Sequence, residues 1–125
     1  MNDRLRVRIW DKSFRKMLYN NLILCYKNKI TAYDYLDNAH KAFLPESHII
    51  IEQCTGLKDK NGNLIYEGDI VKFKISSIKC VGAVRRDERT GGWLKDKTGQ
   101  PLHTYIKSVE VIGNIHENPE LLEGK

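Results

Sequence analysis

The chain has 125 residues, 41% of them hydrophobic and 30% charged, with a formal net charge of +5 and a pI near 9.1. That balance predicts an ordinary soluble globular protein and excludes a disordered chain. The longest apolar runs, Leu22–Tyr26 and His48–Ile51, are too short to cross a bilayer, so no membrane partner is expected.

The start, Met1-Asn2-Asp3-Arg4, lacks the basic and then apolar run of a signal peptide, which makes the host cytoplasm the expected compartment. Cys25, Cys54 and Cys80 are odd in number and widely spaced, so neither a disulfide framework nor a zinc site is indicated. No cofactor is expected. Each thiol lies among apolar neighbours and reads as a small hydrophobe.

Arg4-Leu5-Arg6-Val7-Arg8-Ile9-Trp10 alternates strictly. The period of two predicts a half-buried strand, with Leu5, Val7 and Ile9 on one face and Arg4, Arg6, Arg8 and Trp10 on the other. Asp11-Lys12-Ser13 supplies turn chemistry, and Lys16–Tyr19 returns as the partner strand of a hairpin. Leu22–Tyr26 and Ile30–Leu36 flank a second turn at Lys27-Asn28-Lys29. The second arm also fits a short helix over Tyr33–Leu44 ended by Pro45, and 37–47 reads as a surface excursion.

Beyond that point strands and turns alternate. Ile49–Cys54 predicts a buried strand stopped by Thr55-Gly56, and Asn61-Gly62 marks a tight turn. Glu67-Gly68-Asp69 makes another, leading into Ile70–Ile75, where Val71, Phe73 and Ile75 oppose Lys72 and Lys74. Cys80–Val84 follows with Gly82 as a candidate bulge, then a short strand at Trp93-Leu94, a turn at Lys97-Thr98-Gly99 and a last strand within Val109–Ile115. Asn118 and Pro119 read as the cap and first residue of a terminal helical turn.

The expected fold is mainly β, at most a β-rich α+β: N-terminal hairpins, then a small SH3-like barrel or strongly bent antiparallel sheet, then the helical turn. It forms one domain, 1–125, or two lobes, 1–48 and 49–125.

Four blocks carry a resemblance. They are Arg8-Ile9-Trp10-Asp11, Gln53 to Gly62 (QCTGLKDKNG), Ile65 to Val71 (IYEGDIV) and Glu110 to Leu121 (EVIGNIHENPEL). In order and spacing these resemble the signature of the YopX family of small phage and prophage proteins, covering most of the chain but little of 26–47 and 95–107. The resemblance implies a phage-associated protein of uncharacterised role and transfers no catalytic or binding residue. Its motif residues have a structural reading, with Gly56, Gly62, Gly68 and Asp69 at turns. Tyr66–Val71 also resembles the entry into the first strand of SH3-like barrels, a fold analogy that names no ligand.

Catalysis is not expected. His40, His48, His103 and His116 are scattered without ligand-type spacing, and no nucleophile elbow or phosphate loop occurs. The main reading is a noncatalytic accessory phage protein that binds a host or phage protein or assembles with itself. The alternative is a small basic β-barrel that binds single-stranded nucleic acid through Arg4, Arg6, Arg8, Trp10, Lys72, Lys74, Arg85 and Arg86, since arginine beside exposed aromatics grips phosphates and stacks bases. Against it, charged outer strand faces need only water and deter edge-to-edge aggregation.

Overall fold

The computed structural model describes residues 6–19, 22–26, 29–33, 43–45, 48–95, 99–104 and 106–123, with the stretches between 22 and 45 described by their backbone. The chain is mostly β, with antiparallel pairing throughout and one sheet curled into a half-barrel. Its only helical elements among the described residues are 3-10 turns, so none is long and apolar enough to cross a membrane. The chain divides into two compact units, Arg6–Gln53 and one built on Cys54–Lys125.

In the first unit, β1 (Val7–Asp11) pairs with β2 (Lys16–Leu18) and with the first half of β6 (Ile49–Lys58). The β1–β2 turn closes because Asp11 Oδ1 accepts the N–H groups of Ser13 at 2.9 Å and Phe14 at 3.3 Å, a local bond that competes well with continued strand. Ile9, Leu18 and Ile49 form a small core with Ile51 packed on it. A separate sheet pairs β3 (Leu22–Tyr26), β4 (Lys29–Tyr33) and β5 (Phe43–Pro45) in that order. The strand pairing expected of the second hairpin is therefore present, while residues 27 and 28 of its turn lie outside the described ones. The expected helix is not what the ends of Tyr33–Leu44 adopt, since Tyr33 and Phe43-Leu44-Pro45 are paired strand and residues 34–42 lie outside the described ones.

In the second unit, β7 (Leu64–Tyr66) pairs with the latter part of β6, which runs through Thr55-Gly56 by a bulge instead of stopping there. Five further strands stand in the order β11-β10-β9-β8-β12: β8 (Asp69–Ile75), β9 (Ile78–Arg86), β10 (Trp93–Lys95), β11 (Gln100–Pro101) and β12 (Glu110–Asn114). Ile65, Val71, Phe73, Val84, Leu102 and Val109 form the core, with Cys80 and Trp93 packed against it, while Cys54 is fully buried. Burying each such side chain favours folding by about 1.5–3 kcal/mol, which makes this cluster the main source of stability in the unit.

Gly82 stands in regular register opposite Val71, so the sheet irregularity is not there. It falls between Val111 and Gly113 on β12, where a Cβ on Gly113 would meet Asn118 Oδ1 at 2.5 Å. Asn118 does not cap the 3-10 turn Pro119–Leu122 with its side chain. Its Oδ1 turns back to accept the Asn114 N–H at 3.2 Å.

Candidate functional site

Polar residues of the family-like blocks are occupied in holding backbone. Asp59 accepts the N–H groups of Asn61 and Asn63 on Oδ1 and of Val111 on Oδ2, each at 2.9 Å. Burial pushes its carboxyl up, but the bonds from Val111, Asn63 and Asn61 outweigh this and hold it below the ordinary value of 3.8. Asp69 Oδ2 accepts the Tyr66 N–H at 2.8 Å across the turn where Gly68 has φ +88°. Gly56 and Gly62 also take positive φ. Thr55 Oγ1 donates to the Ile65 carbonyl and accepts the Leu57 N–H, and Asn114 Oδ1 accepts those of His116 and Glu117.

The same bonds position a basic groove on the outer face of the second unit. Lys72 and Lys74 stand at alternate positions of β8, so both point away from the core that Val71 and Phe73 enter. Register sets Lys74 directly opposite Lys79 of β9 and Lys72 opposite Glu110 of β12. The Asp59–Val111 bond and the Lys60 N–H to Val109 carbonyl bond bring Lys60 to the same edge. Lys60, Lys72, Phe73, Lys74, Lys79 and Ser108 line the resulting groove of about 210 Å³. Ser108, on the 3-10 turn Ile106–Ser108, accepts the Lys74 N–H on Oγ.

Charge in this groove is unbalanced. Glu110 Oε1 lies 3.5 Å from the ammonium groups of both Lys60 and Lys72. Among the described residues neither Lys74 nor Lys79 has a carboxylate within ion-pair distance. Like charges placed directly opposite on paired strands destabilise the pairing, so a bound anion would relieve the contact.

The remaining expected residues are dispersed. Arg4 lies outside the described residues, and Arg6 is exposed in the first unit. Arg8 and Trp10 are not an exposed face: they are only 2% and 4% accessible. Arg8 Nε donates to Glu52 Oε1 at 2.9 Å from the opposite position on β6, and the Arg15 guanidinium stands 5.8 Å from the Trp10 ring. Arg85 and Arg86 are exposed at the far end of β9, with Arg86 5.1 Å from the half-buried Trp93 ring. Lysines 72 and 74 are thus joined by Lys60 and Lys79. These two were missed because their proximity depends on strand register, although Lys79's place just after a turn was a local hint.

One buried cation lies beneath. Lys95 is fully buried, 4.6 Å from the Phe73 ring, and its ammonium donates to the Thr104 carbonyl. Desolvation lowers its pKa against an opposing pull from Cys80. Among the described residues no group of three or more His, Cys, Asp or Glu is placed to hold a metal.

The family model described as YopX protein matches residues 6–123. The crystal structure of protein EF1440 from Enterococcus faecalis is similar with 29% identity and a TM-score of 0.63, over 94% of this chain and 97% of that one. The crystal structure of protein yopX from Bacillus subtilis, at 21% identity, shares the fold with a TM-score of 0.61, over 98% of this chain and all of that one. No curated protein matches the chain.

Proposed function

This chain belongs to the YopX family, and we propose that it is a noncatalytic accessory protein of phage or prophage, resident in the host cytoplasm, that acts by binding an acidic partner. The observation that carries the reading is the facing pair Lys74 and Lys79 in a groove that also holds Lys60 and Lys72. Such a cluster raises the local concentration of anionic partners and speeds their encounter. The noncatalytic reading is supported by where the polar residues of the signature go: Thr55, Asp59, Asp69, Asn114 and Asn118 hold turns and strands by backbone hydrogen bonds.

Capture from lysates of induced host cells tests this, with wild-type protein and a Lys74→Glu/Lys79→Glu variant as baits, each with and without nuclease. Material retained by the wild type and lost by the variant is the expected result. Equal capture by both baits would remove the groove from the function.

A further inference from the structure

We infer that the groove of β8, β9 and β12 seats consecutive phosphates of a nucleic-acid backbone, without reading bases; this rests on the acidic-partner reading above and names the partner.

Three observations carry it. Spacing is the first. Lys72 and Lys74 are two residues apart on one strand face, about 6.6–6.8 Å at ordinary strand rise, a separation comparable to that of successive phosphates along one nucleic-acid strand. Lys79 stands across from Lys74 and Lys60 beside Glu110, so the ammonium groups form a small lattice and not a single point.

Side-chain type is the second. Among the described residues the groove holds four lysines and no arginine. An ammonium meets a phosphate as a point charge, without the fixed bidentate geometry that a guanidinium imposes on carboxylate or phosphate, so lysines can follow a backbone whose phosphates vary in orientation. Lysine is also depleted from the centres of protein–protein interfaces, which use aromatic side chains, methionine and arginine. The aromatic residue in the groove wall, Phe73, is 1% exposed and belongs to the core. Among the described residues an acidic protein would therefore find charge here but no apolar anchor.

The third is what the described residues of the groove lack for base recognition. Stacking needs an open aromatic face. Trp10 is buried, and the half-buried Trp93 has Arg86 over its ring at the other end of β9 from Lys79. Contacts confined to phosphates are indifferent to sequence and dominated by counterion release.

The test is fluorescence anisotropy at low salt with three labelled probes: a random-sequence 20-mer DNA single strand, the corresponding duplex, and a poly-glutamate peptide of matched charge. Wild-type protein should bind both DNA probes well above the peptide. With three to four lysine contacts, the slope of log K against log salt should be about −2 to −3.5. Lys74→Glu/Lys79→Glu should weaken DNA binding at least tenfold with an unchanged melting temperature. Glu110→Gln should tighten it several-fold by releasing Lys60 and Lys72. Lys12→Glu, an exposed reversal in the first unit, should change it far less than Lys79→Glu.

Poly-glutamate bound as tightly as DNA would overturn the nucleic-acid inference and leave the acidic-partner reading standing. Binding to no probe would overturn both. Equal weakening by Lys12→Glu and Lys79→Glu would assign the effect to net charge and remove the groove.

Discussion

Arg8 on β1 and Lys74 on β8 sit in the same kind of text, a basic residue alternating with β-branched or aromatic ones, and they end in opposite environments. Both strands have neighbours on both sides. Arg8 is nearly inaccessible and bonded to Glu52, whereas Lys74 is exposed and faces another cation. The difference lies in the residue that register places across the ladder. A carboxylate at Glu52 lets a guanidinium be buried, because charge and hydrogen bonding are met together. A lysine opposite a lysine has no such partner among the described residues, so that pair stays exposed and open to an anion.

The sharpest way to break this contrast is to remove one half of the buried pair. Arg8→Ala should destabilise by about 3–5 kcal/mol, read by urea denaturation, because Glu52 is left buried without its partner. Arg8→Met with Glu52→Leu should recover most of that loss. If Arg8→Ala behaved like a surface substitution, the buried-pair account would fail.

The scaffold under the lysine face comes next. Asp59→Ala orphans the N–H groups of Asn61, Asn63 and Val111 and should cost about 2–3 kcal/mol. Its folded-state pKa is depressed, so its contribution is complete above the unfolded value and lost as pH falls through the folded one. Wild-type stability should then drop more steeply than that of Asp59→Asn below about pH 4. Matching acid profiles would count against the bonds assigned to this carboxylate.

Gly68→Val should destabilise by about 1–3 kcal/mol, since φ +88° strains a β-branched residue. An unchanged melting temperature would remove the turn's constraint. The smallest effect sharpens the comparison most. Lys79→Glu should convert the facing lysines into a cross-strand ion pair and raise stability by roughly 0.2–1 kcal/mol, while weakening DNA binding. Lower stability would mean that the like-charged pair is not under strain.

Much of the fold is legible locally. Alternation in Ile70–Ile75 assigns Val71 and Phe73 inward and the two lysines outward, as observed. Asn61-Gly62 and Glu67-Gly68-Asp69 mark their turns because few other residues accept positive φ there. The candidate site is only half legible, with Lys72 and Lys74 visible on one strand and Lys60 and Lys79 brought in from elsewhere. Where local signals competed they misled: Phe43-Leu44-Pro45 fits a helix end by text but is paired strand, and Asn118 looks like a cap but bonds backward to Asn114.

By itself the sequence determined the mainly β class, the positions of the principal strands, the turn glycines and the family. These depend on period, side-chain shape and backbone φ, all properties of residues near one another in the chain. Tertiary structure alone decided that Glu52 faces Arg8, that Lys79 faces Lys74, and that Asp59 reaches Val111. A period of two separates the faces of a strand but carries no information about its neighbour. The energy of a charge depends on that neighbour and on its distance from water.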